Sequence, residues 1–433
     1  MEHSDHGLVR RLRLDKVRSF EAAEIDFAPR VTVLLGENGS GKTTVAEMLA
    51  LLLVPPGQRL IAFPRRHGAD RGRAEVFLAG RDQPAAVWDS AEDPSADQRP
   101  VPGRPVFAYG RFRQFFTVDQ GERRRINNPG EDLGDLAHSS RRDSILTLFR
   151  PDPGLLQDLS RALVALHYGA QTLADARLTA VWTRLNQSLK ALECGFDRIE
   201  IEEGEYEYIP RLVRKKARLA LSELSDGYQS VLTILFDLVL RYAFRFITLP
   251  DPLLAAAIVV IDEIDLHLHP RWQRTVLNQF TKVFPNTQFI VTTHSPAVVQ
   301  GAVDAGHRII SLTESGGISK AKPLSPSTMR DLKGAEIGAL LLDRRLFGVG
   351  SRYSSEYSAI EDRIDDLEQR IESGTATEAD EKQLFKDLET LQGLMVKDEG
   401  RRAEGGVMAQ MADLRRAFLQ DLAELKREQE KGA

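Results

Sequence analysis

Two short stretches of the 433-residue chain carry residue types that could do chemistry together. The first, residues 260–270, reads VIDEIDLHLHP and sets Asp262, Glu263, Asp265, His267 and His269 behind an apolar run. Such a set suits a metal cage, a catalytic pair of carboxylates or an ordinary polar surface. The H-x-H spacing of His267 and His269 could bind zinc, but no cysteine lies nearby. The histidine pair reads instead as part of a loop leading into a helix at Pro270.

The second stretch decides between these options. GENGSGKTT (Gly36, Glu37, Asn38, Gly39, Ser40, Gly41, Lys42, Thr43 and Thr44) satisfies G-x-x-x-x-G-K-[ST]. It follows an apolar strand and opens a helix, which is the context a phosphate-binding loop requires. The glycines let backbone N–H groups turn inward around phosphate oxygens, and the helix N-terminus adds partial positive charge. Lys42 can reach the β- and γ-phosphates, and the Thr43 hydroxyl can hold Mg²⁺. A strand neighbouring the loop's own strand would then deliver Asp262 beside that magnesium. Glu263 could orient or deprotonate an attacking water.

The elements that must position these residues are also legible. LRLDKV and EIDFA alternate as half-buried strands do, VTVLLG and AAIVVI are apolar runs of the buried kind, and AEVFLAG, PVFAYG and TQFIVTT are further strands. TTVAEMLALLL forms a helix that stops at Pro55-Pro56-Gly57. Residues 65–104 read as exposed hairpins and loops, and residues 111–154, rich in Arg, Gly and Asn, as a mobile surface insertion. Helical periodicity spans residues 155–192, EIEEGEYEYIP is a strand or hairpin, and YQSVLTILFDLVLRYAF is a long apolar helix behind the Ser225-Asp226-Gly227 turn. HRIISL and ISKAKPL flank Gly316-Gly317 as a hairpin. Beyond residue 327 the chain turns to charged helices. Ile360, Ile364, Leu367 and Ile371, then Leu384, Leu388 and Leu391, make an antiparallel helical hairpin with a capping box at Thr375 and Glu378. A final helix carries Met411, Leu414, Phe418, Leu422 and Leu425 on one face.

Composition narrows the class. With 42% hydrophobic and 28% charged residues the chain reads as soluble and globular, and a net charge of -5 does not suit a dedicated nucleic-acid binder. The single cysteine, Cys194, excludes an internal disulfide framework and suits a reducing cytoplasm. The N-terminus lacks a signal-peptide core, and no apolar run is long enough for a membrane span. A cytoplasmic protein without a membrane partner is expected.

GENGSGKTT, LSDGYQS (residues 224–230), VIDEID and TTHSP (residues 292–296), in this order, resemble the motifs of ABC-type ATPase heads in the branch that holds RecF, the SMC proteins and the OLD-like ATPases. LSDGYQS and DEIDLHLHPRWQ are most similar to stand-alone ATPases of the AAA_21 kind, which include the ATPase subunits of Septu-type anti-phage systems. The resemblance implies an α/β P-loop NTPase of ABC-ATPase type, with a mixed central sheet, an N-terminal antiparallel β-subdomain and a helical lobe, extended here by an all-helical C-terminal part. The implied boundaries are a head over 1–330, comprising 1–110, 111–223 and 224–330, and a helical region over 331–433.

The same resemblance implies ATP and Mg²⁺ as cofactors and a homo-oligomer in which heads pair head to tail around ATP. Ser225 and Gly227 match the signature that contacts the γ-phosphate held by the other subunit. His294 matches the switch histidine, Asp265 the loop crossing the dimer interface, and Gln114 a glutamine that touches magnesium and water. Phe20 could stack on adenine or belong to the core. The chain is too short between loop and signature for an SMC coiled-coil arm, and its tail lacks the alternating strands of a TOPRIM nuclease. The acids Glu361, Asp362, Asp365 and Asp366 read as a solvated helix face, so a nuclease would be a separate effector protein. Basic clusters at Arg10, Arg11 and Arg13, at Arg123 to Arg125, and at Arg214, Lys215 and Lys216 form either a nucleic-acid footprint or solvated loop charge. An ATP-driven switch, a non-hydrolysing scaffold and a transporter subunit all share this machinery. LSDGYQS departs from the LSGGQ usual in the last, and with TTHSP it argues against a kinase.

Overall fold

Runs such as VTVLLG and IVVI are apolar at every position because the strands they form are covered on both faces. The computed structural model describes residues 7–54, 71–90, 104–111, 146–149, 155–192, 195–204, 208–335, 337–342 and 346–347, with scattered positions from 360 to 390. The expected surface insertion falls almost wholly outside the described residues, as do Gln114, Cys194, the Arg123 to Arg125 cluster and the last helix.

From the N-terminus, β1 (Val9–Val17), β2 (Phe20–Asp26) and β3 (Val31–Gly36) lead into α1 (Lys42–Leu53), followed by β4 (Arg73–Leu78), β5 (Ala86–Asp89) and β6 (Val106–Tyr109). Then come α2 (Leu146–Phe149), α3 (Leu155–Gln171), α4 (Ala176–Ala191), β7 (Arg198–Glu203), β8 (Tyr208–Arg214) and β9 (Ala217–Ala220). The run closes with α5 (Asp226–Arg245), β10 (Ile258–Ile261), α6 (Pro270–Val283), β11 (Gln288–Thr293), α7 (Pro296–Asp304), β12 (Arg308–Ser315), β13 (Ile318–Pro323), α8 (Pro326–Leu332) and α9 (Ile337–Leu342).

Six strands form the central sheet in the order β13-β12-β3-β11-β10-β6. All neighbours are parallel except the β12–β13 hairpin, whose turn uses Gly316 and Gly317 at positive φ. Alternate residues divide between two cores. Val33, Leu35, Val259, Ile261 and Val291 face the side of α3 to α7. Leu34, Ile258, Val260 and Ile290 face α1 and the N-terminal sheet, β2-β1-β4-β5. The buried carboxamide of Gln288 joins the two sheets, accepting from Val9 N and donating to Val9 O and Ala28 O, each at 2.8 Å.

The helical lobe departs from expectation in two ways. Its single periodic run is two helices, broken where Ala174 takes φ 51 and Asp175 caps α4 through Arg177 N and Leu178 N. It also carries a sheet, β7-β8-β9, of which β9 was not foreseen.

The chain divides into two compact units, Met1–Leu341 with Arg345–Phe347, and Leu342–Arg344 with Gly348–Ala433. In the second, Arg363 pairs with Asp387 and Arg370 with Asp380, so its two helical segments run in opposite directions. Ile360, Ile364, Leu367, Leu384 and Leu388 are buried there. A reciprocal cap forms between Thr377 and Asp380, two residues beyond the expected pair, which lies outside the described residues.

Candidate functional site

The loop between β3 and α1 owes its path to its glycines. Gly39 and Gly41 adopt φ 84 and 97, a region that side chains disfavour. A β-carbon at Gly41 would press on Phe20, which is fully buried against it, so Phe20 belongs to the core rather than to an adenine stack. Glu37, Asn38 and Gly39 are exposed at the loop's crest. The buried hydroxyl of Ser40 has no hydrogen-bond partner. Lys42 turns back into the loop, donating to Gly36 O at 2.7 Å and Glu37 O at 2.8 Å. Burial lowers its pKa, opposed by the charges of Asp262, Glu263, Asp265 and Glu37. The inward ammonium and the orphaned hydroxyl form a donor set that fits a polyphosphate.

Asp262 lies just past β10, but β10 is not the neighbour of β3. β11 pairs with both and stands between them, correcting the expected adjacency. The gap is spanned by side chains. Thr43 Oγ1 donates to Asp262 Oδ2 at 3.0 Å, and Thr292 Oγ1, on β11, donates to Asp262 Oδ1 at 2.6 Å. A threonine hydroxyl and a carboxylate side by side are hard oxygen ligands of the type magnesium takes. Among the described residues no cluster of three or more His, Cys, Asp and Glu side chains forms a separate metal site. His269 instead caps α6 by accepting from Arg271 N at 3.3 Å, and His267 is exposed.

Glu263 is half-buried at φ 51, a left-handed conformation costing about 1–2 kcal/mol for a residue with a side chain. Its carbonyl accepts from Leu266 N at 2.9 Å, starting a tight turn through Asp265. Asp265 Oδ1 is enclosed without a partner. His294 is half-buried between β11 and α7, and the next residue, Ser295, caps α7 through Ala297 N and Val298 N.

Ser225 occupies the N-cap position of α5, yet its exposed side chain makes no capping hydrogen bond. Gly227 is pressed against the turn after Glu263, and a β-carbon there would collide with the backbone oxygen of His267. Gly227→Ala is therefore expected to lose about 1–3 kcal/mol of stability by overpacking against backbone. Thermal unfolding checks this, and an unchanged melting temperature would mean the contact is loose.

Three residues escaped sequence reasoning. Thr292 was visible only as part of TTHSP. Tyr109, at the end of β6, accepts from Asp262 N at 2.8 Å through its carbonyl and donates to Asp237 of α5 at 2.6 Å through its hydroxyl. Asp237 is also bound by Arg241 at 2.7 Å, so a buried polar chain joins the Asp262 turn to the middle of α5. Arg18, in the β1–β2 turn, pairs with Glu47 of α1 at 2.7 Å. Of the basic clusters, Arg11 and Arg13 are paired with Glu24, Asp26 and Glu75 across the N-terminal sheet. Arg214, Lys215 and Lys216 are exposed at the β8–β9 turn.

Residues 31–300 match the model of the AAA_21 family, described as "AAA domain, putative AbiEii toxin, Type IV TA system". The chain belongs to the AAA_21 family. Its fold is the α/β P-loop fold of ABC-type ATPases in the RecF and SMC branch. Among its relatives, "Septu protein PtuA" of Bacillus mycoides (strain KBAB4) is 26% identical over 315 residues, covering 68% of this chain and 39% of that protein. "Retron Ec83 probable ATPase" of Escherichia coli is 38% identical over 148 residues, covering 33% of this chain and 27% of that protein. The alignments thus span well under half the length of these curated relatives. A solved structure, "Crystal structure of the SmcHead bound to the C-winged helix domain of ScpA", aligns over 75% of this chain and 99% of its own with 16% identity and a TM-score of 0.46. No described helix is long and apolar enough to cross a membrane.

Proposed function

We propose that this AAA_21 chain binds and hydrolyses MgATP, pairs head to tail around it, and through that cycle controls a separate effector protein. The observation that carries the reading is the join of Thr43, Asp262, Thr292 and Glu263 at the carboxyl ends of β3, β10 and β11, beside the Lys42 ammonium. Thr43 and Asp262 would hold magnesium, which when bound neutralises charge on the β- and γ-phosphates. Lys42 and the loop N–H groups bind and orient the phosphates. Glu263 would accept the proton of the attacking water at its carboxylate. His294, at the end of β11, is assigned to sensing the γ-phosphate, and Gln114 to the magnesium-bound water.

Ser225, Gly227 and Asp265 are assigned to the neighbouring head. The exposed Ser225 hydroxyl makes no bond to its own helix, which suits a donor meant for a phosphate held elsewhere. The Septu relative suggests anti-phage defence and a nuclease effector, with the RecF branch pointing to DNA repair as the other setting. The test is assembly. Wild-type chain with ATP should sediment as a dimer or larger, whereas Ser225→Arg should bind a fluorescent ATP analogue with unchanged affinity and remain monomeric. Unaffected assembly in that variant would remove the signature from the interface.

A further inference from the structure

Glu263 sits in a backbone conformation that few residues with a side chain adopt, so something must hold it there. What holds it is Thr292. Glu263 N donates to Thr292 Oγ1 at 2.8 Å, and Ile264 N donates to Thr292 O at 3.0 Å. The same hydroxyl donates to Asp262 Oδ1 at 2.6 Å. A threonine hydroxyl has one proton to give. It goes to the carboxylate, which leaves a lone pair for the Glu263 N–H. Two groups, the Asp262 carboxylate and the Glu263 N–H, are thereby ordered by one atom.

The placement follows from register. β10 and β11 are paired up to Ile261 and Val291, and Thr292 is the next residue along, paired on its other side with Leu34 of β3. It stands where the chain leaves the sheet after β10 and turns through Asp262 and Glu263. Thr292 is fully buried, so water cannot replace its hydrogen bonds. A valine would fill the same volume and suit the strand equally well. Packing alone therefore does not call for a hydroxyl here.

We propose that Thr292 is a positioning residue for hydrolysis. Its hydroxyl locks the Glu263 backbone and the Asp262 carboxylate into one unit, so that the group facing water and the group bonded to Thr43 keep a fixed relation. The inference rests on the assignment of Asp262 and Glu263 given above, and concerns which residue sets their geometry.

The test uses the full chain with Thr292→Val, Thr292→Ser and Thr292→Ala. In the nucleotide-free Val variant, amide hydrogen exchange in the peptide spanning 260–268 should be faster than in wild type, because the Glu263 N–H has lost its acceptor. Its kcat should fall by roughly 10–100-fold, while affinity for a fluorescent MgATP analogue stays within about threefold. Thr292→Ser should restore both exchange protection and kcat to within about threefold of wild type. Wild-type exchange and kcat in the Val variant overturn the proposal, and so does equal impairment of Val and Ser, which would signify packing. Should the Val variant fail to fold, the comparison passes to Ser and Ala. Activity kept by Ser and lost by Ala supports the role, and equal loss refutes it. If Glu263→Gln hydrolyses ATP normally, the assignment of Glu263 fails instead, and the exchange measurement alone decides whether the hydroxyl holds that turn.

Discussion

Glu263→Gln is expected to bind MgATP as wild type does and to lose hydrolysis by roughly 10²–10⁴-fold, the usual worth of a positioned general base. The substitution keeps the volume of the side chain. The contacts that fix the backbone run from Glu263 N and Ile264 N to Thr292, and neither involves the carboxylate. Stability should therefore change little, and the variant should accumulate as an ATP-bound dimer. Single-turnover hydrolysis and sedimentation with ATP check both parts. Normal turnover would remove Glu263 from the role of base. A variant that neither binds nor assembles would mean that its charge is needed for holding nucleotide.

Lys42→Ala should act one step earlier. Its ammonium is a charge-assisted donor aimed into the loop, and losing such a contact to phosphate costs about 3 kcal/mol, or roughly a hundredfold in Kd. Two further effects push the same way. The Gly36 and Glu37 carbonyls lose their common donor, and the acidic side chains of Asp262, Glu263, Asp265 and Glu37 lose the cation they act on. Fluorescent-analogue binding measures the loss, with thermal unfolding as a control. Affinity within about twofold of wild type would sink the phosphate-loop assignment.

The parts of the site legible in sequence were those written in consecutive residues. GENGSGKTT carries its own strand, turn and helix start, and VIDEID its strand and exit turn. The paths of β3, β10 and β11 followed from apolar runs, because burial on both faces leaves a period-free signature. What could not be read was which run lies beside which. The spacing of Asp262 from Lys42 says nothing about a third strand between them, so Thr292 was invisible as the link. The short β9 escaped for a related reason. ARLA has no pattern of its own and is a strand only because β8 pairs with it. Arg11 and Arg13 looked like free positive charge until β2 and β4 brought Glu24, Asp26 and Glu75 alongside.

The interposed β11 also constrains how the molecule can be made. β3 ends at Gly36, yet both of its sheet neighbours, β11 and β12, begin only at Gln288 and Arg308. During synthesis the phosphate loop therefore emerges with its strand unpaired on both edges, and it stays so until the switch segment has been translated. Contacts of such sequence separation are closed late and slowly, and open strand edges invite association with other chains in the interval. The N-terminal hairpin can fold as it appears. The nucleotide pocket cannot exist until nearly all of the head has left the ribosome.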